Sequence, residues 1–407
     1  MQMGALERQD VGHRIEPRVL SVQPSQLVIR GQPHGNRRPA CREARLDFGE
    51  GNRSLQHTTQ ERWWNTHSHR LDHLDFKPRA LSHRQQVNRL ESVAVRILVT
   101  GGAGFIGSQV VDAYIAAGHE VAVLDDFSTG NEDNVNAAAA VYRVDLRDQP
   151  KVEAAVSAFR PDLVNHHAAQ SEVPKSVADP TYDAQVNIIG GINLLKACVD
   201  QKVRKVIFSS TGGALYGEPD VVPAAEDHPV RPLSPYGTSK LAFEQYLGTF
   251  HRTYGLDYTV LRYANIYGAR QDFHAAEGRV VAIFASRMLL GKPATIDGTG
   301  EQARDMLHVG DAAMANIAAL DKGSGGTYHV STGIAVSVND LFRKLALLTD
   351  YHLPPNFGPG RKGDVFRIAL DNQRAKEELG WEPRVNLEEG LSLTVDYFRE
   401  QVSKDLP

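Results

Sequence analysis

Apolar residues are spread unevenly along the 407 residues of this chain, and their spacing divides it near position 95. Before that point they are sparse and follow neither a period of 2 nor one of 3.6, so no core face can be drawn. Beyond it they fall into short runs. Arg96-Ile97-Leu98-Val99-Thr100 is one, and Glu120-Val121-Ala122-Val123-Leu124, ending at Asp125, is the next. Residues 108–117 between them read as an amphipathic helix that stops at Gly118. A third strand ends at Asp145-Leu146. A fourth covers residues 163–169, a fifth covers 205–210, and a helix runs from Leu241 to Thr253. Repeated strand–helix units whose strands are apolar throughout predict an α/β fold with a doubly wound parallel sheet.

The segment before this pattern differs in composition too. Residues 1–90 hold 15 of the 45 Lys and Arg and 9 of the 49 Asp and Glu, and Lys77 is the single Lys among them. Seven of the 16 histidines also fall before residue 95. His67, His69 and His73 suggest a metal site, but no second ligand group stands at a recognisable spacing. A solvated, disordered tail is the plainer reading, and a basic nucleic-acid-binding arm is another. A third explanation is preferred. Arg-rich, His-rich, Lys-poor sequence resembles translated GC-rich DNA, and the Val codon GTG also initiates bacterial synthesis. The expectation is a natural product of 313 residues that begins near Val95, an over-extended start preceding it. A native intact mass that includes residues 1–94 would overturn it.

The remaining residues carry 30 basic and 40 acidic side chains, a balance that argues against nucleic-acid binding. No apolar run approaches the ~18 residues of a membrane span. The two cysteines, Cys41 and Cys198, form no disulfide framework and fit a reducing cytoplasm.

Chemistry enters directly after the first strand, with glycines at 101, 104 and 107. In a strand–loop–helix–strand unit these serve the tight turn, the approach of backbone to a pyrophosphate, and close helix packing. The helix N-terminus offers unpaired N–H groups and partial positive charge to the phosphates. Asp125 follows Gly107 by 18 residues and suits the two ribose hydroxyls of an adenosine. A carboxylate there repels a 2′-phosphate, and no Arg occurs in Asp126-Phe127-Ser128-Thr129-Gly130, so NAD is expected rather than NADP. The pair His166-His167 ends the fourth strand and reads as cofactor-edge or packing residues.

Tyr236 and Lys240 stand four apart at a helix start and share one face. A free Tyr has a pKa near ~10 and is a poor base at neutral pH. A nearby ammonium and a nicotinamide cation favour its phenolate, which can then take a proton from a sugar hydroxyl as hydride leaves. Ser210 or Thr211, at the end of the fifth strand, could hold the same substrate oxygen.

Taken together, these motifs resemble the extended short-chain dehydrogenase/reductase family, above all its UDP-glucose 4-epimerases and their nucleotide-sugar relatives. The resemblance spans residues 95–407. It is carried by Thr100-Gly-Gly-Ala-Gly-Phe-Ile-Gly107, Asn187, Tyr236-Gly-Thr-Ser-Lys240, Leu261-Arg-Tyr-Ala-Asn-Ile-Tyr-Gly268, Gln302-Ala-Arg-Asp-Met-Leu-His-Val309, Arg361-Lys-Gly-Asp364 and Leu379-Gly-Trp381. It implies a Rossmann domain over 95–270 and a smaller substrate-binding domain over 271–407, with a segment of the latter returning to the first. Phe105, Ile106, Asp125, Asp126, Asp145, Leu146, Ala168, Asn187, Tyr236, Lys240 and Tyr263 are implied NAD contacts. Asn265, Arg304, Arg361 and Asp364 are implied to hold the nucleotide diphosphate and its ribose, and Arg forks suit phosphate oxygens. A homodimer through a four-helix bundle is implied as well, built from the helices flanking Asn187 and following Tyr236. So is a role in galactose metabolism or cell-surface polysaccharide biosynthesis.

The family's dehydratases carry an Asp-Glu pair after the Thr, its decarboxylases a Glu, and its epimerase/reductases a Cys and a His. Here Gly212-Gly213 occupies the first region, and Cys198 does not match the last. Oxidation at C4, rotation of the keto-sugar and return of hydride to the other face remain. Two positions depart from the pattern. The loop from Ser209 to Tyr216 is one residue longer, which leaves Ser210 and Thr211 both open as the catalytic hydroxyl, with Thr211 preferred. Ile368 stands four after Asp364, where the family borders the sugar. A large aromatic there excludes N-acetyl sugars and a small residue admits them, so UDP-glucose, UDP-N-acetylglucosamine and UDP-glucuronate stay open. A non-catalytic NAD-binding sensor or scaffold is the reading from a different class; such relatives lose the Tyr or Lys, and both stand here.

Overall fold

The computed structural model describes residues 94–272, 280–360 and 365–405. Strand β1 (Arg96–Thr100) leads through helix α1 (Phe105–Ala116) to β2 (Glu120–Asp125) and β3 (Ala140–Arg143). Helix α2 (Gln149–Phe159) precedes β4 (Leu163–His166). Helices α3 (Val173–Ala178) and α4 (Pro180–Ala184), a π-helical turn (Gln185–Gly190) and α5 (Gly191–Asp200) follow. Then come β5 (Lys205–Thr211), α6 (Pro235–Tyr254) and β6 (Asp257–Tyr263). Beyond these are β7 (Asn265–Tyr267), α7 (Val280–Leu289), β8 (Thr295–Asp297), β9 (Ala303–His308), α8 (Val309–Ala318) and β10 (Gly326–Val330). The last elements are β11 (Ala335–Ser337), α9 (Val338–Leu348), β12 (Asn356–Gly358), β13 (Arg367–Ile368) and α10 (Leu387–Asp405).

Seven strands form one sheet in the order β10-β6-β5-β4-β1-β2-β3, and every pairing is parallel. Both faces are covered, which is why the strands read as unbroken apolar runs. In β1, Ile97 and Val99 join one core cluster with Val110 and Tyr114 of α1, while Leu98 joins the other with residues of α2, α5 and α6. The strand order turns back between β1 and β4, which opens a crevice at the strands' C-terminal ends. Two smaller sheets lie in the C-terminal part. One gathers β11, β9 and β13, with β7 also pairing β9; the other pairs β8 with β12. The main sheet also takes residues from beyond 271: α8 packs on α1, and β10 is the edge strand beside β6.

Several boundaries differ from the sequence pattern for local reasons. The third strand ends at Arg143, because Asp145 turns its carboxylate onto the backbone N–H of Arg147 and starts a loop. The fourth ends at His166, and Ala168 leaves the ladder to bond its N–H to the Thr100 hydroxyl. Helix α6 begins at Pro235 rather than Leu241. The Ser234 hydroxyl caps the N–H of Gly237 at 3.2 Å and Pro235 sits in the first turn, so Tyr236 and Lys240 are both helical.

Candidate active site

A cavity of about 1010 Å³ occupies the crevice. Its floor is the glycine loop. Gly101 has φ +70°, and a Cβ there would lie 2.5 Å from the Ala168 nitrogen. A Cβ on Gly107 would come within 2.1 Å of the Gly101 carbonyl oxygen. Backbone is therefore pressed against backbone, as close approach to a pyrophosphate requires. Helix α1 starts at Gly104 with no side-chain cap, so the first N–H groups, at Phe105, Ile106 and Gly107, lie where the cavity wall is. Asp125 accepts the Ala103 N–H at 3.0 Å and the Phe127 N–H at 2.9 Å, so it also fixes the loop. Burial raises its pKa against these bonds. Asp126, Asp145, Leu146, Ala168 and Tyr263 line the same cavity. Arg147 holds the Asp145 carboxyl below the usual carboxylate range. These residues fit a dinucleotide.

The reacting groups stand at the ends of β4 and β5 and the start of α6. Tyr236, Lys240 and Thr211 line the cavity. Burial pushes the Tyr236 phenol up to about 12, the charge of Asp183 adds to this, and the neighbouring Thr211 side chain pulls it back down. Burial brings Lys240 down to about 8, while Asp183 and Glu244 pull it back up. Its Nζ donates to the Ser209 carbonyl at 2.9 Å and lies 5.9 Å from the centre of the Tyr236 ring. Lys240 is thus fixed from behind.

Ser210 and Thr211 take different directions. The Ser210 hydroxyl donates to Glu244 at 2.5 Å, and Glu244 is paired with Arg262 at 2.7 Å, both nearly buried. Arg262 reaches the Tyr216 hydroxyl at 2.6 Å, which in turn meets His329. Ser210 therefore belongs to a buried polar network, and Thr211 is the hydroxyl beside Tyr236. Successive side chains of a strand face opposite ways, which accounts for the split.

The two histidines divide likewise. His166 packs between Phe208 and Phe243 and bonds the Thr100 hydroxyl at 2.7 Å. His167 faces the cavity and stacks on Tyr263 with ring centroids 6.2 Å apart. Asn187, an implied cofactor contact, is buried directly behind Gln170 of the cavity wall. Its amide exchanges two bonds of 2.9 Å with the backbone of Gln170 and donates to Asp183 at 3.0 Å. Holding that backbone leaves Asn187 buried and off the lining.

On the sugar side, Asn265 and Arg304 line the cavity, and Arg304 donates to its own segment's Ala303 carbonyl at 3.0 Å. Arg361 and Asp364 lie outside the described residues, as do His67, His69, His73 and Cys41. Ile368 is in register with Arg304 through β13 and β9, and its side chain joins the core rather than the lining. The reason is its place in a strand pressed between β9 and the hydrophobic cluster. At Gly212 a Cβ would lie 2.2 Å from a Leu370 methyl, so a larger residue there requires the Leu370 side chain to shift. Gly213 faces Asn265, whose Oδ1 would be 3.3 Å from a Cβ.

Three working residues escaped sequence reasoning. Asp183 faces Tyr236 and Lys240 electrostatically, Glu244 captures Ser210, and Asp305 accepts the N–H groups of Thr332, Gly333 and Leu370 to pin the small sheet. Glu244 was detectable, since Tyr236, Lys240 and Glu244 repeat every fourth residue along one helix face.

A glycine-loop dinucleotide site facing a Tyr–Lys pair defines an enzyme class that moves hydride with the help of a tyrosine. The sequence model of the NAD dependent epimerase/dehydratase family matches residues 97–331, and the chain belongs to that family. The UDP-glucose 4-epimerase of Mycolicibacterium smegmatis is 41% identical over 312 residues, covering 75% of this chain and 99% of the relative. The crystal structure of UDP-glucose 4-epimerase from Thermotoga maritima with UDP-glucose is 49% identical, with a TM-score of 0.74 over 75% of this chain and 99% of that one. The Thermus thermophilus UDP-glucose 4-epimerase complex with NAD is 46% identical, with a TM-score of 0.71 and the same coverage.

Proposed function

We propose that the protein interconverts UDP-glucose and UDP-galactose by transient oxidation at C4. The observation that carries this is the pairing of Tyr236 with Lys240 at the start of α6, with Thr211 beside the phenol and two glycines that offer no acid. Dehydration and decarboxylation need such an acid, and neither position 212 nor position 213 carries one.

NAD, when bound, supplies the hydride acceptor, the returning hydride and a positive charge. Gly101, Gly104, Phe105, Ile106, Gly107 and Asp125 would hold it, with Asp126, Asp145, Leu146, Ala168 and Tyr263 around it. Tyr236 takes the proton of the C4 hydroxyl, and Thr211 bonds the same oxygen and keeps it near the phenol. Lys240 stabilises the phenolate. In the 4-keto sugar the ring turns over while Asn265 and Arg304 keep the diphosphate in place, and Tyr236 then returns the proton. Burial, with the charge of Asp183, favours protonated Tyr236 in the protein alone, so proton transfer is matched to the cationic cofactor.

The test is a panel of UDP-sugars resolved by NMR, run with the unaltered protein and Tyr236→Phe. A C4 epimer is expected from UDP-galactose, with a loss of about 10³-fold in the variant and NAD affinity unchanged. Loss of water or carbon dioxide from a substrate would reassign the reaction, and full turnover by the variant would remove Tyr236 from it.

The same reading includes a homodimer through the helices flanking Asn187 and α6. Ile189 and Tyr246 are exposed there, which supports an apolar face that a second copy covers. Sedimentation at the mass of a single chain would remove this part. Galactose metabolism or cell-surface polysaccharide synthesis in the cytoplasm is the setting that fits the reaction.

A further inference from the structure

Behind the wall that carries Tyr236 and Lys240, the side chain of Asp183 is fully buried. Its Oδ1 accepts from the Gln170 amide and the Asn187 amide, each at 3.0 Å, and its Oδ2 accepts from the Ser239 hydroxyl at 2.6 Å. All three donors are neutral. They come from three segments: the loop after β4, the π-helical turn, and α6. Ser239 directly precedes Lys240 and lies three residues after Tyr236. Gln170 is itself part of the cavity lining. One carboxylate thus joins the floor of the cavity to the helix of the reacting pair. A buried carboxylate is costly, and neutral donors leave its charge in place.

We propose that Asp183 is a positioning residue for Tyr236 and Lys240, one that fixes their helix through Ser239 and sets the electrostatic field in which both exchange protons. The proposal takes Tyr236 as the proton acceptor, as in the function given above. Other ionisable groups surround the pair. Glu244 follows in α6 but is neutralised by Arg262 from β6. His166 and His167 face it from the end of β4, and burial holds both uncharged, well below their usual range. Tyr263, at the end of β6, is driven upward by burial and stays protonated. Asp183 is the negative group in this set that no cation neutralises by direct pairing, and its charge favours the protonated forms of Tyr236 and Lys240. It opposes the cofactor's positive charge. Tyr236 would therefore not ionise ahead of cofactor binding, and the ammonium of Lys240 survives its burial.

The test is the pH dependence of kcat for UDP-galactose epimerisation by the full chain. It compares the unaltered protein with Asp183→Asn, Ser239→Ala and Tyr236→Phe. Asp183→Asn keeps the shape and loses the charge, so the midpoint of the acid limb is expected to move down by about one pH unit. Ser239→Ala leaves the charge and removes its shortest donor, so its midpoint is expected to move up, by less. A merely structural role lowers kcat at every pH and moves neither midpoint, and that result overturns the proposal. If Asp183→Asn does not fold, an unmoved midpoint in Ser239→Ala overturns it alone. Turnover surviving in Tyr236→Phe defeats the underlying mechanism instead, so the two failures are told apart.

Discussion

The nucleotide side of the cavity and its sugar side are built in opposite ways. The nucleotide side is built around one continuous stretch, β1 to β2, which carries the glycine loop and the turn at Asp125, with Ala168 pressed on Gly101 from beyond the end of β4. The sugar side is assembled from Thr211, Asn265 and Arg304, which lie far apart in sequence and are brought together by β5, β7 and β9. Local construction survives in the sequence as a motif. Remote construction does not, because each contributor carries only a fraction of the signal.

This contrast predicts where substitutions act. The largest effect on the nucleotide side is expected from Gly107→Ala, whose Cβ meets backbone that cannot move aside. It should lower stability by about 1–3 kcal/mol and weaken NAD binding at least tenfold by calorimetry (~1.4 kcal/mol). Unchanged affinity would erase the distinction. Next, Thr211→Ala and Ser210→Ala should separate cleanly although the residues are adjacent. The first is expected to reduce kcat about tenfold at unchanged melting temperature, through loss of one bond worth about 1 kcal/mol. The second is expected to cost about 1–3 kcal/mol in urea denaturation, by freeing a buried Glu244 oxygen, with kcat reduced less. The reverse pattern would hand the catalytic hydroxyl to Ser210.

The smallest effect near neutrality concerns pH. Burial lowers His167 and His329 to about 3 and His308 to about 4, all in segments that join the main sheet to the sugar side. For a base whose folded pKa is depressed, the unfolded chain binds the proton first. Stability is therefore complete above the unfolded value near ~6.5 and falls as pH drops from there toward the folded values. Thermal melts between pH 7.5 and 5 should show a decline that begins well above the carboxylate range. A flat profile down to pH 5 would mean that acceptors stabilise the protonated rings in the folded chain as well as water does in the unfolded one.

Much of the fold was legible because strands buried on both faces need unbroken apolar runs, and parallel strands need helices between them. The dinucleotide loop and the Tyr–Lys pair were legible for the same local reason. What sequence could not decide depends on which way a side chain turns after folding. Ser210 and Thr211 are neighbours, and only the pairing of β5 with its surroundings sends one to Glu244 and the other to Tyr236. That Asn187 also holds the Gln170 backbone, and that Ile368 packs into the core, likewise depend on the folded surroundings. Asp183 carried no motif at all; its importance comes from depth and from donors up to 56 positions away.

The return of β10 to the main sheet has a practical side. It covers the outer edge of β6 with a parallel ladder running from Gly326–Thr259 to Val330–Tyr263. A protein engineer who separated the nucleotide half by ending the chain after Arg270 would strip that cover. The exposed rim, with Val260 and Leu261 in its middle, would then invite another molecule to add a strand, and the fragment should clump rather than dissolve. The two halves of the cavity are therefore inherited together, and recombination between relatives would have to exchange β10 along with the strand it guards.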